Sequence, residues 1–284
     1  MKAPKLLVLS LTATLALTAC GDKQSDESKS LAEQPAEVSE NSAHLSAETA
    51  EYKAWVQTQI DQLVVDTERF VALLKEGKLD EAKAFYPLAR MSFERSEPIA
   101  ESFGDLDPRI DNREADLEKD ELWTGYHAIE KILWTQNTTK GTEQLGDQLV
   151  ADVKELKAKI PTAEVTPMLM VQGAVDLLNE VTTTKITGEE EIFSKTDLYD
   201  FKANIEGAEK IFEILAPAIE KKNPELVVEL KTKFTEVHKL LDAHKIDDKH
   251  YKNYDELSKA EIDALAESVN KLGEPLAQMG VVMQ

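Results

Sequence analysis

Residues 47–76 read AETAEYKAWVQTQIDQLVVDTERFVALLKE, a long run without glycine or proline. Its large apolar side chains recur at helical spacing and share one face, and Gly77 then follows as a helix terminator. These apolar residues are Trp55, Ile60, Leu63, Val64, Phe70 and Leu74. The stretch therefore predicts an amphipathic helix that packs against further helices.

The chain beyond Gly77 keeps helical periodicity, with few glycines or prolines and no alternating β-branched runs. Short connections favour antiparallel neighbours. We predict an all-α domain at 47–284 made of two antiparallel four-helix bundles, at about 47–160 and 166–280. Similar stretches around Pro98 and Pro217 suggest a duplication or a coincidence. The seven further predicted helices lie at about 79–103, 115–135, 142–159, 166–186, 198–221, 225–243 and 259–278.

The first twenty residues predict export. Two lysines precede an apolar run at 6–17, which ends in Leu17-Thr18-Ala19-Cys20. Because a bilayer span needs about 20 apolar residues, the run indicates a removed signal peptide, residues 1–19, closed by a lipobox. Cys20 is the single cysteine and is predicted to carry the lipid, including palmitate. The polar residues that follow lack large apolar side chains, so 20–46 are predicted to be a disordered tether.

The chain is strongly acidic, with 54 Asp and Glu against 33 Lys and Arg and a net charge of −21. This charge excludes nucleic acid as a partner. It could steer cations towards the protein, or it could simply keep the surface solvated. Composition alone leaves both interpretations open.

Candidate metal ligands concentrate between residues 90 and 130. Arg90, Glu94, Glu97 and Glu101 lie 4, 3 and 4 residues apart, so they form one stripe of the predicted second helix. On the predicted third helix, His127 and Glu130 stand three residues apart among aromatic and aliphatic neighbours.

Buried carboxylates require hydrogen bonds, protons or a cation. The pattern therefore predicts a metal site built from Glu94, Glu97, His127 and Glu130, which should converge on one point. Oxygen ligands with one nitrogen suit iron, manganese or zinc. The alternatives are a solvated acidic face and a His127–Glu130 hydrogen bond that only braces two helices.

Three longer motifs carry a family resemblance. Residues 85–90 read FYPLAR, residues 123–130 read WTGYHAIE and residues 185–191 read KITGEEE. These stretches resemble the EfeO/EfeM iron-uptake proteins, relatives of imelysin that share a Gly-x-His-x-x-Glu signature. Because only the predicted tether precedes the first helix, the chain resembles the short EfeM form without a cupredoxin-like domain.

The resemblance implies metal binding by His127 and Glu130 and then by Glu94 and Glu97. It adds Asp111 and Glu190, both expected in loops. It also implies that the ion is iron, with zinc or copper as alternatives. The implied partners are an inner-membrane iron permease and a haem-dependent peroxidase-type protein.

Imelysin-like proteins have also been classed as metallopeptidases. Metal-dependent peptide hydrolysis needs an open coordination position beside a general base, as in the His-Glu-x-x-His helix, and that motif is absent from this sequence. We therefore predict a non-enzymatic metal-capture lipoprotein of the periplasm. Gly21 rather than aspartate follows Cys20, which favours the outer membrane. Metallopeptidase and metal-dependent acidic-polysaccharide binding are the alternative functions.

Overall fold

The computed structural model describes residues 45–284, so the predicted signal peptide, Cys20 and nearly all of the tether lie outside the described residues. Across this range all named elements are helical and no strand is present, which confirms the predicted all-α class. None of the described helices is both long and apolar enough to cross a membrane. The α-helices are α1 (Ser46–Lys75), α2 (Leu79–Ser96), α3 (Leu106–Asp111), α4 (Gly125–Lys131), α5 (Glu143–Lys159), α6 (Pro167–Thr183), α7 (Asp197–Glu220), α8 (Pro224–Asp242) and α9 (Lys259–Met283).

Helix α1 agrees with its prediction to within one residue at each end. Ile60, Leu63, Phe70 and Leu74 are buried on the face that the spacing predicted. Gly77 follows the helix with a φ of +73°, the left-handed conformation that favours glycine after a helix C-terminus. Periodicity succeeds here because the whole face packs against α2 and α5.

The predicted helix at 79–103 is wrong beyond Ser96. A 3₁₀ segment follows at Glu97–Phe103, and Ile99 within it has a non-helical φ of −118°. Pro98 at the start of this segment has no N–H to donate to the preceding turn, so the α-helix ends there rather than bending. Glu101 consequently leaves the predicted stripe and is exposed to solvent.

The predicted helix at 115–135 is wrong over its first ten residues. The acidic segment 114–122 offers no apolar face, and Leu122 within it is 83% exposed. Helix α4 begins only at Gly125, whose φ is +85° and whose added Cβ would lie 2.2 Å from the carbonyl oxygen of Ile110 in α3. The close approach of these two short helices places His127 near the end of α3.

Two sets of helices pack together, α1 to α5 and α6 to α9, and the sets meet through α2 and α7. At this contact an added Cβ on Gly207 would lie 2.4 Å from the carbonyl oxygen of Arg95. One turn earlier, the Asn204 side chain donates to the carbonyl oxygen of Glu94 over 3.1 Å. The backbones of α2 and α7 are thus close enough for α7 side chains to reach the acidic stripe of α2.

We expect Gly207→Ala to lower the free energy of unfolding by about 1–3 kcal/mol, because the added methyl group meets a backbone carbonyl that cannot move aside. Gly273→Ala in α9 is the matched control, since nothing lies within 4 Å of its added Cβ. That change should stabilise the protein by about 0.5–1 kcal/mol through helix propensity. Urea unfolding of both variants measures the difference, and equal stabilities would contradict the close contact.

Candidate metal centre

Arg90 of α2 is fully buried and lies among four carboxylates that come from separate parts of the chain. Its Nη2 lies 2.6 Å from Glu94 Oε1, 2.9 Å from Asp111 Oδ1 and 4.0 Å from Asp200 Oδ1. Its Nη1 donates to Glu191 Oε1. The guanidinium is therefore the central positive charge of this cluster.

The contacts of His127 determine its protonation. Arg90 Nη1 lies 3.2 Å from His127 Nε2, and Glu130 Oε2 lies 3.1 Å from His127 Nδ1. A guanidinium can only donate, so Nε2 must be the unprotonated acceptor, and Nδ1 carries the proton that is donated to Glu130. Burial, reinforced by Arg90, lowers the pKa of His127. The ring is therefore neutral at pH 7, with a lone pair on Nε2.

Glu130 has both carboxylate oxygens occupied. Oε1 accepts hydrogen bonds from the backbone N–H groups of Phe193 (3.0 Å) and Ser194 (2.7 Å), and Oε2 accepts from His127. A carboxylate in this position fixes the orientation and tautomer of a metal-binding histidine. Glu130 therefore fits a partner of the histidine better than a direct ligand.

Three of the sequence-predicted residues converge in space. Asp111, His127 and Glu190 each offer one ligand atom, and these atoms lie within 4.8 Å of one another. Although Asp111 Oδ1 lies near Arg90, it accepts no hydrogen bond and is buried. One nitrogen and two carboxylate oxygens form a donor set that fits iron, manganese or zinc.

A second group, His127, Glu130 and Glu191, meets the same distance limit. Its carboxylates are already engaged, however, because Glu191 accepts from Arg90 and from Ser194 Oγ (2.7 Å), and Glu130 binds two backbone N–H groups. In the first group Asp111 Oδ1 accepts no hydrogen bond and Glu190 accepts one, from Arg113 over 3.3 Å, so this group is the better candidate for an ion.

Glu94 and Glu97 lie elsewhere in the cluster. Lys185 Nζ is 3.1 Å from Glu94 Oε2 and 3.0 Å from Glu97 Oε2, and Asn204 donates to both carboxylates. The expectation that Glu94, Glu97, His127 and Glu130 converge on one point is therefore wrong. Lys185 already provides a cation at the first two carboxylates, and neither joins a group of candidate ligands within residues 45–284.

The two residues added by the resemblance differ in setting. Asp111 is the last residue of α3 rather than part of a loop, whereas Glu190 lies in the loop before α7. Burial is the largest single influence and acts to raise the pKa of Glu190, but Lys185, with Nζ 3.3 Å from Oε1, and Arg90 together lower the pKa below its usual value. Arg113 Nη1 lies 3.3 Å from the other carboxylate oxygen.

Sequence reasoning did not single out Lys185, Glu191 and Asp200. Lys185 is fully buried, although lysine is normally read as a solvent-exposed residue. Asp200 is also buried, and neither of its carboxylate oxygens accepts a hydrogen bond. The only sequence signal for the first two was their place in the KITGEEE motif.

The cluster holds more acidic than basic side chains. Carboxylates outnumber the cations Arg90, Lys185 and Arg113, and they belong to Glu94, Glu97, Asp111, Glu130, Glu190, Glu191 and Asp200. Burial raises the pKa of Asp111 and of Asp200 well above the usual range, with Glu94 and Glu190 adding to the effect and Arg90 opposing it. Such an excess is relieved by protons or by a bound cation.

Fold and site together define an all-helical protein with a buried histidine–carboxylate cluster. The model of the imelysin family, peptidase M75, matches residues 48–279. An Efem/EfeO family lipoprotein of Staphylococcus haemolyticus strain JCSC1435 is 48% identical, over 99% of each chain. Efem/EfeO family lipoproteins of Staphylococcus aureus strains MSSA476 and MW2 are 47% identical, over 85% of this chain and 87% of theirs. The chain therefore belongs to the imelysin family, in its Efem/EfeO lipoprotein group, as its motifs predicted.

We expect Glu130→Gln to disturb the histidine. If the amide oxygen accepts from the backbone N–H groups, the amide NH₂ faces Nδ1 and donates to it. The ring proton must then lie on Nε2, where it faces the Arg90 donor. The free energy of unfolding should fall by about 1–3 kcal/mol, and metal affinity by about 10–100-fold. Urea unfolding and metal titration measure both effects.

Glu209→Gln is the matched control, because Glu209 pairs with the partly exposed His238 over 2.5 Å outside the cluster. It should change stability by no more than about 0.5 kcal/mol and leave metal binding unaltered. Equal metal affinities for Glu130→Gln and the control would show that Glu130 does not orient His127.

Proposed function

We propose that this protein captures a transition-metal ion, iron, through Asp111, His127 and Glu190 as part of an iron-uptake system of the cell envelope. The convergence of these three ligands, with His127 Nε2 unprotonated, carries the proposal. The neutral imidazole and the two carboxylates together bring a charge of −2 to a divalent ion once Asp111 has lost its proton. Capture thus relieves part of the buried excess of negative charge.

The kind of ion follows from the donor atoms. Carboxylate oxygens and imidazole nitrogen bind Fe²⁺, Mn²⁺ and Zn²⁺ well, whereas copper(I) prefers sulfur. Iron is selected among these by the likeness to EfeO/EfeM proteins, and zinc is the practical competitor. In this proposal Glu130 orients His127, while Glu94 and Glu97 hold Arg90 and Lys185 in place instead of binding the ion.

Peptide hydrolysis is the competing function because the family model carries a peptidase name. A metallopeptidase needs a carboxylate free to act as general base on metal-bound water. Glu130 and Glu191 have their oxygens engaged, and Asp200, whose oxygens are not, is only 1% exposed. The three candidate ligands are at most 11% exposed, which leaves little access for a polypeptide. We therefore favour capture over catalysis.

The envelope location rests on the predicted lipobox and on relatives named as lipoproteins. We propose that lipid on Cys20 anchors the protein at a membrane surface, where it would pass iron to a permease, with a haem-dependent peroxidase-type protein as a further partner. The relatives come from Staphylococcus, whose envelope lacks a periplasm and an outer membrane. We therefore propose anchorage in the cell envelope, and the proposal includes neither a periplasm nor an outer membrane.

We expect His127→Ala to bind Fe²⁺ and Zn²⁺ at least about 100-fold more weakly than the wild type, beyond the effect typical of an outer partner. Calorimetric titration of the soluble portion under anaerobic conditions measures this loss. His250→Ala is the matched control, since His250 is 44% exposed and pairs only with Asp247 among the described residues. Indistinguishable affinities for all three proteins would mean that His127 only braces the helices.

The same titration should depend on pH in a defined direction. Because the pKa of Asp111 is raised, this ligand holds a proton to higher pH than an exposed aspartate, and the ion must displace it. Affinity should therefore weaken as pH falls, and binding should release protons. Titrations in two buffers of different ionisation enthalpy detect that release.

We expect Cys20→Ala to move the protein from the membrane fraction to the soluble fraction. The change removes the only thiol that can carry the lipid, and a folded domain without an acyl chain has no comparable membrane affinity. Immunoblots of separated fractions measure the shift, and Ser42→Ala near the far end of the tether is the control. Unchanged fractionation of Cys20→Ala would refute the anchor.

A further inference from the structure

Arg90 and a metal ion require the same lone pair of His127. The unprotonated Nε2 of an imidazole has one lone pair, and here it faces Arg90 Nη1 at 3.2 Å. A metal–nitrogen bond of about 2.0–2.1 Å would use that lone pair. Arg90 Nη2 also lies 2.9 Å from Asp111 Oδ1, a second candidate ligand atom. An ion therefore cannot bind His127 Nε2 while Arg90 keeps its present position.

Arg90 has an acceptor beside it that is not in use. Both oxygens of the buried Asp200 lack hydrogen-bond partners, and the nearer one is 4.0 Å from Arg90 Nη2. A shift of about 1 Å would bring these two groups within hydrogen-bond distance. The Nε–H of Arg90 is also without a partner, so the present position leaves both a donor and nearby acceptors unsatisfied.

The guanidinium is held by Glu191 at Nη1 and by Glu94 at Nη2, so the shift must be small enough to keep both contacts. The carbon Cζ of Arg90 lies 5.8 Å from the ring centroids of Tyr86 and of Tyr126. Aromatic faces attract a guanidinium without fixing it at one point. Glu94 remains bonded to Nη2 at 2.6 Å and would restrain the side chain during a small movement.

We propose that Arg90 is an internal counter-ion that competes with the metal for His127 and moves towards Asp200 when an ion binds. The inference rests on the proposed function of metal capture and adds a mechanism for release. Arg90 compensates the carboxylates whenever no ion is bound. Its return displaces the ion from His127 and Asp111, which limits affinity and suits a protein that hands its cargo on.

Two variants test separately the competition by Arg90 and its movement towards Asp200. Arg90→Met keeps a long side chain but removes the competitor. If Arg90 blocks the empty site at least about nine times in ten, its removal raises apparent metal affinity about tenfold or more. The apo protein should melt at a lower temperature, because buried carboxylates lose their partner. Asp200→Asn should instead lower metal affinity, since an amide accepts from a guanidinium less strongly than a carboxyl group does, while the apo melting temperature is kept.

Arg95→Met is the matched control, because Arg95 lies on the same helix and pairs with Glu206 over 2.7 Å outside the cluster. It should leave metal affinity unchanged. Should Arg90→Met fail to fold, Arg90→Lys retains a positive charge with fewer donors and tests the same competition. Calorimetric titration with Zn²⁺ and thermal melts of each apo protein give the two readouts.

A rise in affinity for the Arg90 variants with a fall for Asp200→Asn supports the proposal. Unchanged or weaker affinity in both Arg90 variants overturns it. A rise in the Arg90 variants with wild-type affinity in Asp200→Asn overturns the movement towards Asp200. In all three outcomes the wild type still binds metal. Absence of binding to the wild type would instead overturn the proposed function.

Discussion

The burial of negative charge around Arg90 is the constraint on which this structure depends. Carboxylates from α2, α3 and the loop before α7 surround one guanidinium, and Lys185 compensates a second set a short distance away. Removing one partner from a buried ion pair is far more costly than losing a surface pair. The relative positions of these elements are therefore set by charge as well as by apolar packing.

This charge arrangement also sets the chemistry of His127. Arg90 can only donate and Glu130 can only accept while ionised, so the histidine between them is neutral, with one defined tautomer. The same contacts hold the ring ready for a metal and occupy the carboxylate that could act as a general base. Capture and hydrolysis thus make opposing demands on Glu130, and the observed hydrogen bonds favour capture.

Interruptions of the helices bring the candidate ligands together. Pro98 ends α2, so the chain can turn back through α3, and Gly125 allows α4 to approach the end of α3. Asp111 and His127 meet as a result. A continuous pair of long helices would have carried these side chains apart. The stretch between α2 and α4, which departs most from simple helical periodicity, is therefore the one that forms the site.

The sequence alone determined the all-α class, the long helices and the pairing of His127 with Glu130, because these follow from periodicity and from spacing within one helix turn. Family motifs added Asp111 and Glu190, which no local pattern indicates. Only the tertiary structure showed that Lys185 neutralises Glu94, that Arg90 faces His127 and that Asp111 keeps an oxygen without a hydrogen bond. The partners in those contacts lie 37 to 91 positions apart, and a side chain's burial and charge compensation depend on what the fold places beside it.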